Sequence, residues 1–361
     1  MLIFDGHLNL GWNAMQWERD LRLPAFTIRA QEAHVSGQGR GVGTVALPDM
    51  RRGRVALCFA TTMGRNTGVV TPNVDYRSAA QAHATARGHI EYYRALEAEG
   101  LVRILTDVSA LDAHVAEWQS WEMAGADAMH TPPLGFILTM ESADPVLHPS
   151  HLPAWQVAGI TAIGPAHFGS GRYAGGTGTE EPLTPLGVEL VKEMDRIGIV
   201  LDCTHLADPA FWQALDLYGG PVWASHNNCR ALVSHQRQFS DEQLKALFAR
   251  GGVIGAAFDI WMLVPGYQIG KHTPKDAGLS NVVDNLDHVC QLAGNAQHAA
   301  IGSDLDGGFG RDYSPHDLDT IADLQRIPEL LAQRNYSEAD IAAIMHGNWL
   351  RIVRGAWSTA S

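Results

Sequence analysis

Seven positions carry residue types that bind metals or move protons, and each closes a short apolar run. His7 and Asn9 follow LIF (2–4), Glu141 follows GFILTM (135–140) and His167 follows ITAIG (160–164). His205 follows GIVLDC (198–203), His226 follows PVWAS (221–225) and Asp304 follows HAAIGS (298–303). His7 and Asn9 lie two residues apart, so on extended chain their side chains point the same way and offer two donors to one side of an ion. His205 and His226 end neighbouring runs and can converge on a second position. Glu141 has two oxygens and can bridge two ions. Imidazole and carboxylate suit zinc, and a catalytic zinc site keeps one position open for water. Such a metal lowers the pKa of its water and polarises a carbonyl, which is hydrolytic chemistry. Each residue alone has an ordinary role: a hydrogen-bonded histidine, a helix-capping Glu141, an Asp304 closing a turn in GSDLDGG. Their recurrence at successive run ends is what those separate roles leave unexplained.

The runs themselves say what must hold these residues. With VALCFA (55–60) and GGVIGAAF (251–258) there are eight, and they are continuously apolar rather than alternating. That is the pattern of parallel strands buried on both faces. Helical signals fall between them. Residues 76–99 carry an Ala-rich helical pattern, Thr184-Pro185 reads as a cap with Pro at the first helical position, and Ser240/Gln243 and Ser337/Asp340 read as capping boxes. Strand–helix alternation repeated eight times predicts an α/β fold of the (β/α)8 TIM-barrel type, in which functional residues sit at the C-terminal strand ends. We read one domain over 1–361, with loop insertions at about 100–133 and 169–185. VRILTD (102–107) is assigned to the first insertion and not to the barrel. The Gly-rich 169–185 stretch is expected to be a mobile loop over the site.

Composition narrows the partners. At 361 residues with 46% hydrophobic content, the chain can bury a large core, and a net charge of −13 disfavours nucleic acid and anionic membrane surfaces. Four scattered cysteines fit neither a disulfide framework nor a cysteine zinc site, so a reducing compartment is expected. No signal peptide, membrane-span pattern or hydrophobic tail is read, which gives the expectation of a cytoplasmic, bacterial enzyme. A homodimer is expected only on the general frequency of dimers. The other histidines, His130 among them, are read as surface or structural.

The segments DGHLN (5–9), MES (140–142), ITAIGPAH (160–167), LTPLGVELVKEMDRIGIVLDCTH (183–205), PVWASHNNCRALVSHQRQFSDEQL (221–244), IGSDLDGG (301–308) and HGNWLR (346–351) resemble the membrane (renal) dipeptidase family of zinc peptidases. They run nearly end to end, in family order. The resemblance implies a dipeptidase with one or two zinc ions: His7 on the first, Glu141 bridging, His205 and His226 on the second. It further implies that His167 stabilises the oxyanion, Arg237 binds the substrate's terminal carboxylate, and Asp304 passes a proton from water to the leaving amine. A D-amino acid at the C-terminal position of the dipeptide is also implied. The family has aspartate where this chain has Asn9, a neutral and weaker ligand. Asp5 is on the same face and is the nearest substitute. Two alternatives stand beside dipeptide hydrolysis. One is lactonase or other amidohydrolase chemistry on the same barrel. The other is a metal-binding homologue with impaired catalysis.

Overall fold

The computed structural model describes residues 1–69, 71–127 and 131–358. Its strands are β1 (Ile3–Leu8), β2 (Val55–Met63), β3 (Val102–Ile104), β4 (Leu134–Glu141), β5 (Ala162–Gly164), β6 (Val200–Asp202), β7 (Val222–Ala224), β8 (Val253–Ala256) and β9 (Ala299–Ile301). Eight of them run in the order β1-β2-β4-β5-β6-β7-β8-β9, each neighbouring pair parallel. This is the nearly closed TIM-type barrel that the eight apolar runs predict. Every residue of these strands is buried, because helices cover the outside and side chains fill the inside. The anticipated caps are present: Thr184 on Pro185–Ile197, Ser240 with Gln243 on Asp241–Ala249, and Ser337 with Asp340 on Glu338–Ala342. No helix among the described residues is long and apolar enough to cross a membrane. The four cysteines are free and buried.

Two expectations change. The 100–133 stretch is not only loop. Residues 102–104 form β3, which pairs with β4 outside the ring path, and Val108–Met123 is a helix. Asp107 caps that helix, and Leu111, His114, Val115 and Trp118 give it a buried face at helical spacing. His130 lies outside the described residues. The 169–185 stretch is fastened rather than free. Bridges join Phe168 to Thr177, Ser170 to Gly175 and Ala174 to Leu183, and Tyr173 is buried beneath them.

The last interface of the ring, between β9 and β1, is closed by side chains. The Asp5 carboxylate accepts hydrogen bonds from Ser303 N at 2.8 Å, Ser303 Oγ at 2.5 Å and His7 N at 3.1 Å. Asp5 therefore points into the seam with its oxygens engaged, and is not a substitute ligand for Asn9. The Trp349 indole donates to Ile301 O of β9 at 2.8 Å. Its ring lies against Gly6 of β1, where a Cβ would come within 2.5 Å of Trp349 Cζ2. Phe59 and Trp223 complete the aromatic packing, 4.9 Å apart between ring centres. Across this seam Asp304 N donates to His7 O at 3.2 Å, which sets those two residues side by side although they are far apart in sequence.

Removing the seam carboxylate strands three buried donors, each costing about 1–3 kcal/mol when unsatisfied. Asp5→Ala is expected to lower unfolding free energy by at least about 3 kcal/mol in urea titration. A loss no larger than that of an exposed Asp→Ala would show that the seam closes without it.

Candidate active site

The polar strand-end residues meet on one carboxylate. Glu141, the last residue of β4, is fixed by the seven-residue register of β4 with β2. Its Oε1 lies 3.2 Å from His205 Nε2, 3.3 Å from His226 Nε2 and 3.3 Å from His167 Nε2. Its Oε2 lies 3.4 Å from His7 Nε2. Asp304 Oδ1 stands 3.8 Å from His7 Nε2 on the other side of the seam. The backbone turns sharply to aim two of these groups: His205 and Asp304 have φ of 68° and 55°, a left-handed conformation uncommon away from glycine. The far nitrogens orient the rings. His205 Nδ1 is 2.9 Å from Thr177 Oγ1 and His226 Nδ1 is 2.9 Å from Ser225 Oγ. Each ring thereby turns its Nε2 toward Glu141.

These spacings fit a metal. His205 Nε2 and His226 Nε2 are 3.1 Å apart, so with Glu141 Oε1 they make a triangle with sides of 3.1, 3.2 and 3.3 Å. Ligands held about 2.0–2.1 Å from a tetrahedral zinc are about 3.3 Å from one another. The triangle is close in size to one face of such a tetrahedron. Protonation agrees. Burial opposes the Glu141 charge, but His167 and His7 more than offset it and hold the carboxyl well below its usual range. Burial, with Arg237 and His167 or His7 nearby, keeps His205 and His226 well below the usual imidazole range. An ionised carboxylate and neutral imidazoles are the states a metal requires. On the Oε2 side, burial would lower His7, but Glu141 outweighs it and raises the imidazole to about 9.

Asn9 converges on the same side. Its Nδ2 is 3.0 Å from His7 Nε2 and 3.3 Å from Glu141 Oε2, while its Oδ1 is buried with no partner among the described residues. Arg237, 3% exposed, lies in the same cavity and donates to Asn227 Oδ1 at 2.5 Å and to His226 O at 2.7 Å. Both partners are neutral oxygens. Burial lowers the guanidinium to about 10, which leaves it charged at neutral pH. Burial also pushes the Asp304 carboxyl up to about 7, with His7 pulling it down and Glu141 up. A group there can both accept and release a proton near neutrality. The cavity is about 120 Å³ and opens beside a larger one of about 930 Å³ lined by Phe168, Trp261, Tyr267 and Tyr313.

The structure thus brings together His7, Asn9, Glu141, His167, His205, His226, Arg237 and Asp304. It adds Thr177, Asp259 and Arg65, which carried no motif or spacing signal, and Asn227, which lies in the 221–244 segment but was not singled out. The histidines set aside as structural include His89 and His114, which are buried and bonded to the backbones of Met63 and Ala56.

The chain matches, over residues 1–361, the family model described as membrane dipeptidase (peptidase family M19). It is 30% identical over 214 residues to an uncharacterized protein in the pqqA 5′ region of Klebsiella pneumoniae, covering 57% of this chain and 76% of that one. It is 32% identical over 203 residues to dipeptidase tcpJ of Claviceps purpurea, covering 54% of this chain and only 44% of that relative's length. A solved metallo peptidase from Rhodobacter sphaeroides, liganded with a phosphinate mimic of the dipeptide L-Ala-D-Ala, matches in fold with a TM-score of 0.74 at 23% identity over 99% of both chains.

Partners that orient metal-binding imidazoles typically contribute 10–100-fold to affinity. Thr177→Val, which frees Nδ1 of His205, is expected to weaken metal binding by roughly that factor in competition with a chelator. An affinity within twofold of the unaltered protein would mean that Thr177 does not orient the ring.

Proposed function

This chain belongs to the membrane dipeptidase family of metallopeptidases, and from that premise we propose that it hydrolyses the peptide bond of free dipeptides at the Glu141 cluster, with zinc as its metal. The observation that carries the reading is Arg237, a buried cation with neutral partners, set in the same cavity as a carboxylate–imidazole cluster of zinc dimensions. A planar guanidinium suits a carboxylate, to which it can make two parallel hydrogen bonds. A substrate carboxylate on Arg237 directs the adjacent peptide bond toward Glu141.

His205, His226 and Glu141 would hold the metal, with His7 and Asn9 on the Oε2 side. When bound, it lowers the pKa of water and polarises the carbonyl. The chain's own residues do the rest. His167 donates to the carbonyl oxygen as water adds to the carbon and negative charge builds there. Asp304 takes the proton that water loses, then gives it to the amine nitrogen as the C–N bond breaks, leaving two amino acids. A site that only stored metal would have no need of a buried guanidinium whose partners among the described residues are neutral oxygens. We extend the substrate range to dipeptides ending in a D-residue, on the family resemblance and on the wide mouth beside the cluster.

We further propose that only the His205–His226–Glu141 position holds an ion tightly. The Asn9 amide is neutral, so the Oε2 side carries one negative charge fewer than an aspartate there would give. In the orientation seen, Asn9 Nδ2 donates to Glu141 Oε2, which turns an N–H rather than a lone pair toward the place of a second ion. Elemental analysis of dialysed protein is expected to find one equivalent of zinc, rising to two in Asn9→Asp. Two equivalents in the unaltered protein would overturn the single-ion reading.

The carboxylate clamp is tested on a panel of L–L and L–D dipeptides. Breaking a buried charge pair costs about 2–5 kcal/mol, so Arg237→Met is expected to lower kcat/KM by roughly 10²- to 10³-fold. Unchanged kinetics would remove the clamp. Turnover of lactones or N-acyl amino acids with none of dipeptides would move the protein to the alternative chemistry.

A further inference from the structure

Of the imidazoles around Glu141, His167 is the one whose far nitrogen meets a cation. Arg65 NH1 lies 2.8 Å from His167 Nδ1. Arg65 sits just past β2, and the chain folds back on itself there: Arg65 N donates to Val74 O at 3.0 Å and Tyr76 N to Arg65 O at 2.8 Å. That turn brings Asp75 against the guanidinium, where it accepts from NH2. Asp75 is in turn held by Thr67 Oγ1 at 2.7 Å. Arg65 is 8% exposed and Asp75 is 6% exposed, so the pair is built into the wall of the site.

A guanidinium nitrogen can only donate. His167 Nδ1 must therefore present its lone pair, and the ring's proton must be on Nε2. Nε2 is the atom that faces Glu141 Oε1 at 3.3 Å. The cluster's geometry alone leaves two roles open to His167, because Glu141, His167 and His205 lie close enough together to share an ion. Coordination through Nε2 would need a lone pair on that atom and the proton on Nδ1, where it would point at an N–H of Arg65. The contrast with the two neighbouring rings is direct. His205 and His226 have hydroxyls at Nδ1, from Thr177 and Ser225, which can accept as well as donate and so permit a bare Nε2.

We propose that Arg65 is a positioning residue that locks His167 as its Nε2–H tautomer, barring it from the metal and keeping it as a hydrogen-bond donor to the substrate's carbonyl oxygen. Asp75 keeps the guanidinium in place and supplies the compensating charge. The inference rests on the reading of His167 as the oxyanion donor, but the tautomer can be measured without any substrate.

The test uses zinc-loaded protein with 15N-labelled histidine, unaltered and as Arg65→Met and Arg65→Lys. In the unaltered protein the His167 ring is expected to show Nε2–H with a bare Nδ1. Arg65→Met is expected to give a mixture of tautomers and a kcat lower by roughly 10- to 100-fold, with KM and zinc content changed less than about threefold. Arg65→Lys keeps a donor and is expected to restore the tautomer and part of kcat. An Nδ1–H ring in the unaltered protein, or undiminished kcat in Arg65→Met, would overturn the proposal. If Arg65→Met does not fold, the unaltered protein's spectrum and the Arg65→Lys kinetics still decide it. A locked Nε2–H ring in a protein that turns over no dipeptide would sink the dipeptidase reading and leave the tautomer lock standing.

Discussion

The Glu141 carboxylate is ionised, buried at the mouth of a barrel, and faced by four imidazole nitrogens within 3.4 Å. An ion taken this far from water costs several kcal/mol in effective desolvation unless charge and hydrogen bonds answer it. Everything else in the site is arranged around that need. Neutral imidazoles and one carboxylate at zinc-like spacing leave a position that a divalent cation fills with favourable charge. The cluster is thus an electrostatic well whose depth comes from burial and whose shape comes from ring orientation.

Ring orientation is a property of the surrounding shell. Hydroxyls at Nδ1 of His205 and His226 leave those rings free to present a lone pair, whereas a guanidinium at Nδ1 of His167 requires the opposite. Three histidines around one oxygen are therefore not interchangeable, and the difference lies in what stands behind each ring. Asn9 makes a related distinction on the other carboxylate oxygen, where an amide stands in place of a charge.

The barrel supplies the rigidity this division of roles needs. β1 and β9 meet through Asp5, Ser303 and the Trp349 indole rather than through a strand ladder, and that seam carries His7 on one side and Asp304 on the other. Left-handed backbone at His205 and Asp304 aims the side chains inward at some cost in local strain. The 169–185 stretch adds to the same framework by placing Thr177 behind His205, which is why it is bridged to itself and not a loose cover.

Much of this was legible in the sequence. Continuous apolar runs, capping residues and the chemical types at the run ends are local signals, so they pointed to the barrel and singled out His7, Glu141, His205, His226 and Asp304. The helix at 108–123 was missed although Leu111, His114, Val115 and Trp118 carry the helical spacing, because the stretch was read as a loop insertion. What the tertiary structure alone decided concerns direction and pairing. Asp5 shares a face with His7 yet turns to Ser303, 298 residues away. Arg65 reaches His167 across 102 residues with no motif to announce it. Such contacts depend on where the ring closes and how loops return, and no spacing along the chain encodes which nitrogen of a histidine a distant side chain will meet.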